Sequence, residues 1–521
     1  MRIISSSDLV QSTVIVSIVT VIVFIVLAWT TTPLVALVAC ASAALMLGPA
    51  RRREDVAWVP AFVALACVVA FQAWLITRGT FEWGEREMLG SSYDSLARSL
   101  RHGSAEIRSE DIQWEAWGHG GRTFMYFGPF PALLRVLPDL LAPSRYGLWS
   151  RPSSFLAFLL SLAAIVAIAR RQLAENERID ARGRTVLFFA TLAAVGLGSP
   201  LVVVASLANL YHEAILWGLC AALWGVFFAH GVLRDDEKAW RSLTLLSAAA
   251  GAAILSRVTF GLPLYALATG LALRLLVLQV RRDRQPLLSA AGRVALALLP
   301  AIAAGLFQLW YNHARFGSPF EFAPFATKGV DSAFHLSRIP SGALAYFRIS
   351  PENFSLRVPF LTFAFPSVFR PELYLDLTNL VISPVLVSPW LVVALAGGAM
   401  LPGRPGERRL LALCAVPFAV QWLLILAYYW LAYRFTTEFL PLAVWFLAAY
   451  LQKAGAGTGV ARLLSPRLFA LVTAFSVLAT VTSLFHFQSL WWAYPEEYRQ
   501  HISRTFEALD GWLGLVDRGP R

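Results

Sequence analysis

The sequence predicts an all-α polytopic membrane protein with about 13 transmembrane helices. Hydrophobic residues make up 57% of the 521 residues and charged residues 15%, whereas soluble globular chains contain about 25% charged residues. A helix needs about 20 apolar residues to cross a bilayer, and such stretches recur along the chain. They cover residues 9–29, 33–50, 56–77, 153–169, 185–206, 213–232, 242–256, 259–280, 289–311, 379–401, 410–431, 436–451 and 468–487.

The positive charge of the chain follows a topological pattern. The formal net charge is +12, and Arg and Lys concentrate in alternate predicted loops, as they do in the cytoplasmic loops of membrane proteins. This places the N-terminus in the cytoplasm and the C-terminus outside, and it favours contact with anionic membrane lipids over nucleic acid. The alanine- and arginine-rich composition is typical of a bacterial protein, so we expect the membrane to be the bacterial cytoplasmic (inner) membrane. The clusters lie at residues 51–53, 170–184, 234–241, 281–284, 404–409 and 453–467.

Neither the first apolar stretch nor the cysteines indicate a secreted protein. The first stretch lacks a small-residue cleavage site and a second stretch follows it, so we expect it to remain as a span. The four cysteines are dispersed within predicted spans, which suits small buried residues better than a disulfide framework or a zinc site. They are Cys40, Cys67, Cys220 and Cys414.

One transmembrane domain, residues 1–487, accounts for most of the predicted fold. Its long outer segments are residues 78–152 and 312–378, and the second could fold over a cavity as a lid. Residues 488–521 form an amphipathic tail on the outside, where Trp and Tyr favour the membrane interface.

The first outer segment is predicted to contain two short helices. Tyr93–His102 has helical spacing, and Gly103 ends it. Phe130–Pro143 is apolar but too short and too rich in proline to span, which suits a helix lying in the membrane interface. Together these helices would hold Asp94 close to the lipid head groups.

Asp94 is the first candidate for chemistry, as a general base that takes a proton from a substrate hydroxyl. The alternative is an acid that interacts favourably with the dipole at a helix N-terminus. The same segment carries His119, Arg122 and Tyr126 among rigid Gly and Pro turns. These three are candidates for substrate binding.

His212 and Glu213 lie at a tight turn between two predicted spans. Ionisable residues within membrane-spanning segments usually face a cavity or a partner, so the pair could orient a sugar or a phosphate. The alternative is a capped turn at the level of the head groups.

Arg257, Arg315 and Arg434 lie at the outer ends of predicted spans. A guanidinium binds phosphate through two parallel hydrogen bonds, although an arginine there can also snorkel to the head groups. Glu438 follows Arg434 by one helical turn and could simply pair with it.

The sequence contains no motif of a soluble nucleotide-dependent enzyme. Asp235–Glu237 lies beside Arg234 and Lys238 and is interpreted as a solvated charge run rather than a metal site. The chain has no P-loop, no dinucleotide fingerprint and no His-Glu-x-x-His motif.

These features together resemble the GT-C class of membrane glycosyltransferases. The likeness is to the superfamily of protein O-mannosyltransferases and lipid A aminoarabinose transferases, in which an acid precedes a short helix in the first large outer loop. The topology covers most of the chain, and the local likeness covers a small share of it. That share consists of Tyr93–Leu100, Tyr126–Arg135, Tyr211–Ala214, Arg315–Phe322 and Tyr433–Pro441.

The resemblance implies transfer of a sugar from a polyprenyl-phosphate donor to an acceptor hydroxyl on the outer face of the membrane. Asp94 matches the family's proposed base, and Arg257 and Arg434 match arginines that bind the carrier phosphate. The acceptor hydroxyl, once deprotonated, would attack the anomeric carbon while polyprenyl phosphate leaves. Many family members have two adjacent acids at this position, whereas Asp94 has no acidic neighbour. Other acids of this loop therefore remain open as the base, namely Glu82, Glu85, Glu87 and Glu115.

Two other functions remain open. One is a transporter or flippase for a lipid-linked glycan or another amphiphile, and the other is a structural protein whose outer loops bind a partner. Transporters often place ionisable groups near the membrane midplane, whereas the ionisable residues here lie at span ends, which favours an enzyme. The acceptor could be a glycan, a lipid or a protein, and the superfamily includes both metal-free and metal-using members.

Overall fold

The computed structural model describes residues 58–234, 238–323, 332–366, 379–400, 405–455 and 465–515. The predicted spans 9–29 and 33–50 and the acidic run 235–237 lie outside the described residues. The described chain is mostly helical, and its one sheet is a two-stranded hairpin.

The first part of the described chain contains one bundle helix, a long loop with short elements, and three further helices. The elements are α1 (Trp58–Ile76), α2 (Ser92–Arg101), α3 (Ser109–Ile112), β1 (Trp117–His119), β2 (Arg122–Phe124), α4 (Phe130–Leu141), α5 (Ser150–Ala174), α6 (Ala181–Gly196) and α7 (Pro200–Ala205). The two short helices predicted in the first outer segment are present as α2 and α4.

The second part contains most of the long helices. In order, they are α8 (Leu210–Leu233), α9 (Ala239–Ser256), α10 (Val258–Arg281), α11 (Leu287–Phe316), α12 (Ile339–Phe347), α13 (Pro384–Val387), α14 (Trp390–Met400), α15 (Pro405–Leu426), α16 (Leu440–Lys453), α17 (Pro466–Leu490) and α18 (Glu496–Leu513). A 3-10 turn, Tyr433–Phe439, precedes α16.

Seven helices among the described residues are long and apolar enough to cross a membrane, namely α5, α8, α9, α10, α11, α15 and α17. They indicate a membrane-embedded, mostly helical protein. The count of 13 spans is not confirmed, because several predicted stretches are short or broken in the structure.

The predicted span 185–206 is two helices rather than one. Helix α6 ends at Gly196, and α7 starts at Pro200 after a cap in which the Ser199 side chain accepts a hydrogen bond from the Leu201 amide. The carbonyl of Gly198, in the break, accepts a hydrogen bond of 2.7 Å from the Trp390 indole. The break therefore lets backbone groups bond to a neighbouring helix, as broken helices in membranes require.

The predicted span 379–401 is also interrupted. Only Trp390–Met400 forms a continuous helix there, and the residues before it contain the short helix α13 and the prolines Pro384 and Pro389. Proline lacks the amide hydrogen that a continuing helix needs, which explains the interruption.

Helix α8 lies at the centre of the bundle and α11 at its edge. In the most apolar window of α8, 78% of the residues are buried, against 17% in that of α11. Leu296 and Leu306 of α11 are 70% and 62% exposed. A long apolar helix with so much exposed surface is suited to contact with lipid.

The long loop and the chain around the 3-10 turn lie at one end of the bundle, which we call the loop face and define by residues 77–149 and 427–439. Helix α4 there is amphipathic, because it buries Arg135 and Asp139 and exposes Leu137 and Leu141. The predicted tail forms α18, which exposes Trp512. Both helices have the exposed apolar side chains that an interfacial position needs.

Candidate functional site

A buried ionic cluster at the loop face holds the first predicted base. Arg135 of α4 donates hydrogen bonds of 2.7 Å to Asp94 and 2.5 Å to Glu213, and a third of 3.1 Å to Ser150. We call these four residues the Arg135 cluster. The side chains of Asp94 and Glu213 are fully buried, and that of Arg135 is 2% exposed.

The Arg135 cluster joins the long loop to the bundle. Glu213 on α8 also accepts a hydrogen bond of 2.6 Å from Ser153 on α5, so α2, α4, α5 and α8 meet at one guanidinium. Burial raises the pKa of the Asp94 carboxyl, an effect that Arg135 opposes. The Asp94 side chain is therefore enclosed with its counter-ion and does not face open space.

A cavity of about 360 Å³ opens at the loop face, and we call it the polar cavity because Glu115, Arg257 and Arg434 line it. It contains three of the predicted substrate-binding residues, Tyr126, Arg257 and Arg434, and it does not contain Asp94. Most of its other lining residues are aromatic. The lining is Met88, Trp114, Glu115, Trp117, Tyr126, Phe127, Tyr211, Arg257, Asn379, Tyr428, Tyr429, Trp430, Arg434, Phe435, Trp491 and Trp492.

Glu115 is the carboxylate that lines the polar cavity. It lies in the turn that leads from α3 into β1, and its side chain accepts a hydrogen bond of 2.6 Å from the Tyr211 hydroxyl. Tyr211 also accepts a hydrogen bond of 3.4 Å from the Trp114 indole. A hydrogen bond at one carboxylate oxygen fixes the orientation of the group and leaves the other oxygen able to accept a proton.

Two arginines line the polar cavity, and they differ in whether a carboxylate pairs with the guanidinium. Arg257 donates a hydrogen bond of 2.6 Å to the buried Glu438, which also accepts one of 3.3 Å from Gln421. Arg434 forms no ion pair with any residue in the described ranges and lies 5.0 Å from the ring centroid of Tyr211. Arg434 is thus the cation of the cavity with no protein counter-ion among those residues.

The alternative in which Arg434 pairs with Glu438 is not what the structure has. The residues between them form a 3-10 turn rather than an α-helix, and a 3-10 helix has three residues per turn, so positions four apart do not lie on one face. Glu438 points instead to Arg257, which comes 181 residues earlier.

An apolar cavity of about 350 Å³ adjoins the polar one. The two share Tyr126, Phe127, Arg257 and Tyr428. Burial raises the pKa of Tyr126 and Tyr428 well above the usual phenol value, so both stay neutral. The rest of the lining is mostly hydrocarbon, with Gly128, Ala214, Ile254, Ser256, Val258, Thr259, Leu262, Gln308, Phe322, Ala323, Phe334, Leu424 and Ile425.

Four predicted binding residues lie elsewhere. His119 and Arg122 face each other across the hairpin and are exposed. The ring of buried His212 lies 3.0 Å from the Val204 carbonyl, and buried Arg315 donates a hydrogen bond of 2.6 Å to the Met125 carbonyl. None of the four lines either cavity, so their predicted contact with substrate is not supported by their positions.

Glu213, the remaining candidate, belongs to the Arg135 cluster and lines neither cavity. The sequence analysis did not identify Tyr211 or the other aromatic residues that line the polar cavity as binding residues. One signal was present, since the run Tyr428-Tyr429-Trp430 lies just before Arg434. Runs of aromatic residues are also common where membrane proteins meet the interface, so the run alone did not indicate a site.

Within the described ranges, no three His, Cys, Asp or Glu side chains come together as metal ligands would. In comparisons with protein-family models, with curated proteins and with solved structures, nothing matches this chain.

Proposed function

We propose that this protein is a membrane glycosyltransferase that moves a sugar from a polyprenyl-phosphate donor to an acceptor hydroxyl at the loop face. The loop face would be the outer face of a bacterial cytoplasmic membrane, because described arginines of the positive clusters, such as Arg178 and Arg282, lie at the opposite end. The observation that carries the proposal is the pair of adjoining cavities that share Arg257.

The two cavities suit the two parts of such a donor. The polar cavity offers Arg434 and Arg257 to a phosphate, and guanidinium groups bind phosphate through charge-assisted hydrogen bonds. Both arginines line this one cavity, and each guanidinium lies 5.0 Å from the Phe435 ring centroid. The apolar cavity next to them offers hydrocarbon walls to the first units of a prenyl chain.

Glu115 takes the role that the resemblance gives to Asp94. Its carboxylate accepts the proton of the acceptor hydroxyl as that oxygen forms a bond to the anomeric carbon. The bond from the anomeric carbon to the phosphate oxygen breaks, and its electron pair stays with polyprenyl phosphate. Arg434 stabilises the charge that develops on that oxygen, which is electrostatic catalysis by a positioned cation. Tyr211 is a positioning residue, since it acts through Glu115.

The proposal is tested with purified full-length protein, a radiolabelled polyprenyl-phosphate sugar, and membranes from a strain that lacks the protein as the source of acceptor. We expect Glu115→Gln to lower transfer about 10²-fold or more, the usual contribution of a general base, without weakening donor binding. Arg434→Gln should weaken donor binding roughly tenfold or more, as loss of a charged hydrogen bond does.

Arg145→Gln is the control, because Arg145 lies on the loop face and is exposed. It should leave both transfer and donor binding unchanged. Full transfer by Glu115→Gln would exclude Glu115 as the base.

The alternative of a transporter requires a polar path to the opposite face. A cavity of about 570 Å³ does lie there, lined by residues such as Glu175, Arg178 and Lys453. It shares no lining residue with the polar or the apolar cavity. This separation favours a reaction confined to one face.

A further inference from the structure

The mouth of the polar cavity carries tryptophans that phosphate and prenyl binding do not use. Trp114 is 53% exposed and Trp492 is 58% exposed, and both line the cavity. Their ring centroids are 6.1 Å apart, and Trp491 follows at 6.3 Å from Trp492. We call these three residues the tryptophan rim.

The tryptophan rim is assembled from two distant parts of the chain. Trp114 lies in the turn after α3, and Trp491 and Trp492 lie between α17 and α18. Trp114 is held by its hydrogen bond to Tyr211, and Trp491 stacks on Phe487 at 5.3 Å. Trp114 and Trp491 are therefore held in place before any ligand binds, which lowers the entropic cost of binding.

The surroundings distinguish the rim from tryptophans that only anchor a protein in the interface. Its rings lie beside Glu115, Asn379 and Arg434 in the cavity lining rather than on a lipid-facing helix surface. Trp512 on α18 is the contrasting case, because it is 81% exposed and does not line the cavity.

Resting on the proposed transfer reaction, we infer that the tryptophan rim is an acceptor subsite for a neutral carbohydrate chain. A pyranose ring has a face of C–H groups that packs on the electron-rich face of an indole. Its hydroxyls lie at the ring edge, where Glu115 and Asn379 can bond them. Neighbouring indoles suit successive sugar units, and a terminal hydroxyl of such a chain would reach the Glu115 carboxylate.

A carbohydrate fits this rim better than a peptide acceptor does. A bound extended peptide relies on main-chain hydrogen bonds to an exposed strand edge. The hairpin β1–β2 lies near the rim, but each of its strands has only three residues. Flat aromatic surface with a few polar groups is the composition that an uncharged ring-shaped ligand needs.

The test measures binding without transfer. Purified wild-type protein in nanodiscs is titrated with a panel of neutral gluco-, manno-, galacto- and arabino-oligosaccharides of about three to six units, followed by saturation-transfer NMR. At least one should bind, and Trp114→Ala and Trp492→Ala should each weaken it by about three- to tenfold, as loss of one aromatic contact does. Trp114→Tyr should retain most of the binding, and Trp512→Ala should retain all of it.

Three results would overturn the inference. The first is that the wild type binds no member of the panel. The second is that Trp114→Ala binds the oligosaccharide as well as the wild type does. The third is that a Ser- and Thr-rich peptide displaces the bound oligosaccharide with equal or higher affinity. Donor binding is measured separately with polyprenyl phosphate and Arg434→Gln. Oligosaccharide binding without sugar transfer would keep the rim as a carbohydrate-binding site and reject the transferase together with the acceptor role. Transfer unaffected by both tryptophan substitutions would reject the acceptor subsite alone.

Discussion

Asp94 and Glu213 place two carboxylates against the single guanidinium of Arg135, and all three side chains are buried. Buried ions lose their hydration, so they are stable only with close partners and good hydrogen-bond geometry. Each carboxylate here contacts the guanidinium directly, and Arg135 also donates a hydrogen bond of 2.8 Å to the Gly90 carbonyl. The arrangement holds the long loop on the bundle.

The first prediction concerns Asp94→Asn. The substitution replaces a charged hydrogen-bond acceptor of Arg135 by a neutral amide, while Glu213 remains the counter-ion of Arg135. Weakening one hydrogen bond to a charged group costs about 1.5–3 kcal/mol. We expect a lower unfolding temperature in detergent, with activity per folded molecule retained. Glu106→Gln is the control, since Glu106 is 47% exposed and lies 3.9 Å from an exposed Arg122. Normal stability together with lost transfer would instead identify Asp94 as the base.

Glu438 neutralises Arg257 but not Arg434, so it sets the charge of the polar cavity. Its side chain is fully buried, while that of Arg257 is 16% exposed. The carboxylate thus sits behind the guanidinium and leaves its outer edge to the cavity.

The second prediction concerns Glu438→Gln. Removing the carboxylate leaves Arg257 uncompensated, so the cavity becomes more positive and should bind a phosphate-bearing lipid more tightly. The same change should lower stability by about 3 kcal/mol, because it breaks a buried pair. Donor titration and thermal unfolding of one preparation measure both effects. Weaker donor binding by a folded variant would contradict this assignment.

At the scale of elements, the chain between β2 and α4 packs against the junction of α9 and α10. A Cβ atom at Gly128 would lie 2.1 Å from the Leu255 carbonyl oxygen. Only glycine allows this approach, and the same segment carries Tyr126 and Phe127 into both cavities.

The third prediction concerns Gly128→Ala. The methyl group must displace the segment from the junction, and such overpacking costs about 1–3 kcal/mol. We expect lower stability and weaker donor binding, because Tyr126 and Phe127 would move. Gly118→Ala is the matched control, since a Cβ atom there would meet nothing within 4 Å. Equal behaviour of the two variants would show that the close packing at Gly128 is dispensable.

At the scale of the whole molecule, the bundle has two dissimilar ends. The loop face carries both adjoining cavities, and the helix ends and loops at the opposite end carry arginines such as Arg178, Arg182, Arg281 and Arg282. Positive loops face the cytoplasm, so the cavities should open on the outside.

The fourth prediction tests this orientation by labelling in intact cells. In a background in which the four cysteines are replaced, Glu110→Cys on the loop face should react with a membrane-impermeant maleimide. Asp283→Cys, in the turn between α10 and α11, should react only after the cells are opened. The reverse pattern would place the cavities in the cytoplasm and contradict a lipid-linked reaction at the outer face.

Composition and local pattern were enough to predict a membrane protein, the loop with its two short helices, and the acids and arginines that are candidates for the site. Composition and apolar periodicity are local properties, so they can be recognised in the amino-acid sequence alone. The prediction that two apolar stretches are continuous spans was wrong. Residues Gly196–Pro200 interrupt one stretch, and the prolines before Trp390 interrupt the other.

Which charged groups face open space depends on how the helices pack. The partner of Arg135 on α8 lies 78 residues away, and the partner of Arg257 lies 181 residues away. A buried charge is neutralised by whichever opposite charge the packing of helices brings near it, and that choice leaves no mark in local sequence. Asp94 and Glu213 were thereby enclosed, and Glu115 and Arg434 were left facing the cavity.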